Sequence, residues 1–105
     1  MKLTLISNYG AEEKIISDQI NSEQIVETMN GIDWKLFHQV VLTKGNGDYL
    51  EVGGNTSDDG LSVMYQENNH QYFIVDPPET VEQMLEILLS YLAVDYQYKN
   101  QYKFD

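Results

Sequence analysis

The sequence predicts an α+β domain built on a mostly antiparallel sheet of about five to seven strands with two helices, in the order ββαββββα followed by an optional last strand. Three observations carry this. Residues 48–75 alternate apolar and other side chains with a period close to two, residues 80–93 repeat apolar side chains at helical spacing, and turn-forming pairs separate the segments. A chain of 105 residues that is 42% hydrophobic is long enough to bury one modest core, so a single domain spanning 1–105 is expected.

The N-terminal run Lys2 to Tyr9 reads as a strand, and Glu13 to Gln19 beyond Gly10 as its hairpin partner. A short helix of about two turns follows. Asn21 stands at its N-cap with Gln24 at the capping-box position, Ile20 and Ile25 form a hydrophobic staple, and Asn30-Gly31 ends it. Its buried stripe is Ile25, Val26 and Met29; which sheet face it covers is left open.

Gln39 to Thr43 is a β-branched run closed by the turn signal Lys44-Gly45-Asn46-Gly47. In the next strands Leu50 and Val52 alternate with Tyr49 and Glu51. Leu61, Val63 and Tyr65 alternate with Ser62 and Met64, and Tyr72 and Ile74 with Phe73 and Val75. Together these runs predict a four-strand antiparallel meander, stopped by Asp76-Pro77-Pro78 because proline supplies no ladder donor. Gly53-Gly54 is read as a bulge or turn.

The second helix opens with a Thr80/Gln83 capping box, carries the stripe Val81, Met84, Leu85, Leu88, Leu89 and Leu92, and runs to about Ala93. Aromatic residues at Tyr96, Tyr98, Tyr102 and Phe104, all even positions, allow a last strand rather than a frayed end. Trp34 is expected to close the core between helix and sheet, with an interface anchor as the other reading.

Charge narrows the functional classes. Seventeen acids against six lysines and no arginine give −11, and residues 45–98 hold ten of the acids and no lysine. A surface of that sign repels phosphate, which argues against direct nucleic-acid binding and steers a basic protein instead. No cysteine is present, so disulfides, thiolate zinc sites and cysteine nucleophiles are excluded, and a reducing cytoplasm fits. Neither a signal-peptide core nor a membrane-spanning stretch is read from the chain.

Chemistry-bearing patterns are sparse. His38 and His70 lack metal-ligand spacing, and Asp58-Asp59-Gly60 lacks the alternating ligands of a calcium loop, so no metal and no cofactor are expected. No carboxylate pair, nucleophile elbow or phosphate cradle stands out, so no catalytic residue is named. Glu82 and Glu86 form an unrelieved like-charge pair on the second helix, a feature that mixed signs would improve if stability alone mattered.

The strand Tyr49-Leu50-Glu51-Val52-Gly53-Gly54, then Asp59-Gly60-Leu61-Ser62-Val63-Met64-Tyr65, then Pro77-Pro78 leading into an amphipathic helix and a terminal aromatic strand, resembles the small immunity proteins of bacterial polymorphic-toxin and contact-dependent inhibition systems. The resemblance covers about His38 to Asp105. It implies a cytoplasmic, non-catalytic antidote that binds a cognate toxin domain, often a nuclease or deaminase. Independently, an acidic inhibitor suits a toxin with a positive cleft, and Glu51, Asp58, Asp59, Glu67, Glu82 and Glu86 are the expected partner-binding residues. A small enzyme or metabolite-binding domain, and a homo-oligomeric adaptor, are the alternatives.

Overall fold

The computed structural model describes residues 1–105. Six strands, β1 (Lys2–Ser7), β2 (Glu12–Ser17), β3 (His38–Thr43), β4 (Tyr49–Asn55), β5 (Gly60–Glu67) and β6 (His70–Phe73), form one sheet in the order β2-β1-β3-β4-β5-β6. Every neighbouring pair is antiparallel. Strands β2 and β3 therefore run parallel on either side of β1. Their connection has to cross the sheet, and helix α1 (Ser22–Gly31) is that crossover.

Helix α1 starts as the sequence predicts, with Asn21 Oδ1 accepting from the Gln24 amide and Gln24 Oε1 accepting from the Asn21 amide. Its ten residues are nearly three turns rather than two, because Asn30 and Gly31 remain helical. The following segment folds back beneath it. Trp34 is buried, and its indole Nε1 donates to the Met29 carbonyl at 3.1 Å, satisfying one of the acceptors that a helix end leaves free.

Helix α2 (Val81–Ala93) has the expected Thr80/Gln83 capping box and lies on the same face as α1. One core results: Leu3, Val40, Leu42, Leu50, Val52 and Val63 of the sheet meet Ile25 and Met29 of α1 and Met84, Ile87 and Leu88 of α2. Each of these aliphatic side chains contributes roughly 1.5–3 kcal/mol on full burial. Both helices on one side leave the other side of the sheet without a covering layer.

Two local readings need correction. Gly53 and Gly54 continue β4 in register with β3 and β5. Gly54 has φ +116°, and a Cβ there would collide with the Gly60 carbonyl, so glycine is required by close strand approach rather than by a bulge.

The tail is not a continuous strand from Tyr96. Val94 and Tyr96 adopt left-handed backbone (φ 57° and 56°), which turns the chain into a short helix α3 (Gln97–Gln101) and drives Tyr98 into the core. Only the last residues are extended: Phe73 and Asp105 exchange backbone hydrogen bonds, and the Val75 amide donates to the Lys103 carbonyl. Packing of one large ring has overridden the even-position pattern.

That ring carries a testable cost. Tyr98 is fully buried against Tyr65, Tyr91 and Phe104, and its hydroxyl has no hydrogen-bond partner. An unpaired buried hydroxyl costs about 1–3 kcal/mol. Urea unfolding of Tyr98→Phe is expected to show stability equal to or above that of the wild type. Tyr98→Ala should lose about 3–5 kcal/mol through the cavity it leaves; a large loss on Tyr98→Phe would show that the hydroxyl is bonded.

Candidate protein-binding surfaces

The up-and-down topology sorts the loops to two ends of the sheet. One end collects the β1–β2 turn, the α1–β3 segment, the β4–β5 turn and the Pro77-Pro78 loop. It carries Glu12, Asp33, Asp58, Asp59, Asp76 and Glu79, with Lys35 among them. The opposite end carries Lys2, Lys44 and Lys99 together with Asp18, Asp48, Glu67 and Asp95, so acids and lysines are mixed there. Two of those lysines are engaged there: Lys44 lies over the rings of Tyr91 and Tyr96 at 4.9 and 5.4 Å, and Lys99 over Tyr65 and Tyr96 while pairing with Glu67 at 2.7 Å.

The β4–β5 turn at the acidic end is held firmly. Buried Asn55 accepts the amides of Asp58 and Asp59 on one oxygen, both at 2.9 Å, and donates to the Asp59 carboxylate at 2.9 Å. The same turn is strapped to the preceding loop. Thr56 donates through both its amide and hydroxyl to the Trp34 carbonyl, and the Ser57 hydroxyl donates to the Lys35 carbonyl. The Asp59 carboxylate and the backbone that carries Asp58 are thus fixed on this corner.

Beside this corner sits a hollow of about 340 Å³ lined in part by Tyr9, Leu36, Phe37, His38 and Asp58. Tyr9 is 77% exposed and Leu36 62%, although both are large and apolar. Tyr9 stacks on Phe37 at 4.8 Å, and both Asn8 and Tyr9 hold left-handed backbone (φ 52° and 54°), a conformation that costs residues with a side chain about 1–3 kcal/mol. An exposed aromatic ring held in this way makes Tyr9 a candidate contact residue. The sequence reading missed these residues; the signal available was a large ring, Tyr9, immediately before Gly10.

The six acids named from the sequence do not share one patch. Asp58 and Asp59 stand at the acidic corner, and Glu82 and Glu86 lie on the exposed side of α2. Glu67 is at the far end of β5, roughly 23 Å along the strand from Gly60, which follows Asp59, and is neutralised by Lys99. Glu51 points to the opposite side of the sheet from both helices. Its neighbours across the strands are Val41 and Met64, and Gln39 donates to its Oε2 at 3.2 Å.

Glu51 occupies the middle of the uncovered sheet face. Following the register outward, this face presents Ile6, Ile15, Val41, Met64, Phe73 and Val75, of which Ile15, Phe73 and Val75 are exposed. Burial among such neighbours raises the Glu51 pKa above the usual carboxylate value, and the Gln39 hydrogen bond offsets this in part.

His38 shares a hydrogen bond with the Ser7 hydroxyl at 3.0 Å, His70 is exposed, and no three metal-ligating side chains converge. No helix is long and apolar enough to cross a membrane. Comparison with known protein families, with curated proteins and with solved structures finds no match to this chain.

Two outcomes follow from these geometries. Asn55→Ala should cost about 1–3 kcal/mol and accelerate amide hydrogen exchange at Asp58 and Asp59 while leaving β1 protected; unchanged exchange would show that Asn55 does not hold the turn. Glu51→Gln keeps the acceptor for Gln39 and removes a charge the fold disfavours. Because the folded pKa is raised, the wild type loses stability as pH rises through it, so the variant should unfold at a higher temperature at about pH 7. The advantage should disappear at roughly pH 4 and below, where the carboxyl of the unfolded chain is protonated as well.

Proposed function

We propose that this chain is a non-catalytic binding protein that uses its acidic end to engage a basic protein, and that it serves as a cytoplasmic immunity protein neutralising a cognate toxin domain. The observation that carries the reading is the rigid β4–β5 corner, where Asp58 and Asp59 are held by Asn55 next to exposed Tyr9 and Leu36. Fixed carboxylates steer a cationic partner toward the site and exposed apolar side chains hold it there once water is excluded. This division of labour is what an inhibitor requires.

The mechanism that fits is steric occlusion. A toxin acting on nucleic acid binds phosphate through a positive cleft, and the acidic corner offers that cleft a preorganised negative protrusion at low ordering cost. The chain's other acids add to the long-range field. Lys35 is the one lysine in the loops of this corner, whereas Lys2, Lys44 and Lys99 lie at the other end of the sheet.

The test uses a basic toxin domain encoded beside this chain's gene, with association followed by surface plasmon resonance over a range of salt. The association rate should fall steeply with salt, and Asp58→Asn with Asp59→Asn should lower it further. Tyr9→Ser and Leu36→Ser should instead speed dissociation. A complex whose association is indifferent to salt and to both aspartates would defeat the proposal.

A further inference from the structure

The acidic corner accounts for one end of the molecule and leaves the uncovered sheet face unexplained. Six strands at ordinary spacing and a length of about six residues make that face roughly 24 by 20 Å. Its composition departs from that of the chain as a whole. At its margins lie Lys2 and Glu13 on one side and, on the other, Lys103 and Asp105 of the tail, opposite Val75 and Phe73. Away from these margins every outward residue of the six strands is uncharged except Glu51: Thr4, Gln39, Thr43, Tyr49, Ser62 and Gln66 fill the spaces between the apolar side chains. In a protein of net charge −11 this is strong depletion, and depletion of charge is what separates the centre of a protein interface from ordinary surface.

The single exception is placed with care. Gly53, on the same face, has no side chain, and Gln39 lies across it; a Cβ there would stand 2.9 Å from Gln39 Cγ. That lets the Gln39 amide reach Glu51 Oε2, fixing the carboxylate while Oε1 makes no hydrogen bond. No cation of this chain compensates it, the one ion pair being Lys99 with Glu67. Burying an unpaired carboxylate under a neutral partner would be costly, and burying it under a cation would satisfy it. A second copy of this chain would bring another Glu51 toward the same centre, a like-charge meeting that disfavours face-to-face pairing.

We propose that the open face of the sheet is a second docking surface, whose partner presents an apolar surface carrying one lysine or arginine that seats on Glu51. Charge complementarity selects this partner, and Phe73, Val75 and Ile15 supply the apolar contact around it. The site is independent of the acidic corner, and one can fail without the other.

The experiment pans a displayed library of random peptides against the intact chain and measures the enriched peptides against Glu51→Gln, Phe73→Ser and the double variant Asp58→Asn with Asp59→Asn. Glu51→Gln is isosteric and Phe73 is 53% exposed, so these variants retain the fold, which their unfolding midpoints verify. The expected winners carry one lysine or arginine between apolar residues. They should bind Glu51→Gln and Phe73→Ser about tenfold more weakly and the aspartate variant unchanged. Polybasic winners sensitive only to the aspartates would overturn the second surface while supporting the corner, and a selection yielding no peptide sensitive to Glu51 would overturn it outright. So would sedimentation showing a dimer that Phe73→Ser dissociates, which would assign the face to a second copy.

Discussion

The molecule is governed by one-sided packing: a six-stranded sheet has two faces, and this chain supplies helices for only one. The crossover forced between β2 and β3 commits α1 to that side, and α2 joins it around the same core. Hydrophobic burial is therefore concentrated where Leu42, Leu50 and Val52 meet Met84, Ile87 and Leu88. The other face meets water with polar side chains such as Thr43, Ser62 and Gln66 set between apolar ones, and with Glu51 as the charge at its centre.

The same topology organises the electrostatics. Antiparallel strands joined by short turns send alternate loops to opposite ends, so residues far apart in sequence collect at one pole. The acids of the β4–β5 turn gain the company of Asp33 and Glu79, whereas Lys44 and Lys99 are drawn onto tyrosine rings at the other pole. At the acidic pole Asn55 converts two aspartates into a fixed feature, and the strained Asn8-Tyr9 segment places an aromatic ring nearby. Steering charge and apolar contact thus coexist on one corner.

Much of the fold could be read from the residues because the local signals agreed with one another. The Asn21/Gln24 and Thr80/Gln83 capping boxes both form, and the period-two alternation of residues 48–75 separates the two faces of the meander as observed. The tail could not be read this way: the even spacing of Tyr96, Tyr98, Tyr102 and Phe104 suits a strand, but the core takes Tyr98 and the chain bends around it. The surfaces were less legible than the fold. Sequence proximity groups Glu51 with Asp58, yet pleating sends Glu51 to the open face, and Glu67 meets Lys99 only because α3 returns beside β5. What alternation did offer, unused, was the neutrality of the residues between the core positions: Gln39, Val41 and Thr43 on β3, Ser62, Met64 and Gln66 on β5.

Because the chain has no cysteine, one can be introduced at a chosen point and its reaction with a thiol reagent followed in the native state. Ser62 and Val63 are adjacent in β5 and face opposite sides of the sheet, Ser62 exposed and Val63 1% exposed. If one face is bare, Ser62→Cys reacts nearly as fast as in the unfolded chain and Val63→Cys is protected until the protein opens. Comparable protection at both positions would mean that a second layer, from this chain or a copy of it, covers the face, and the one-sided account would be wrong.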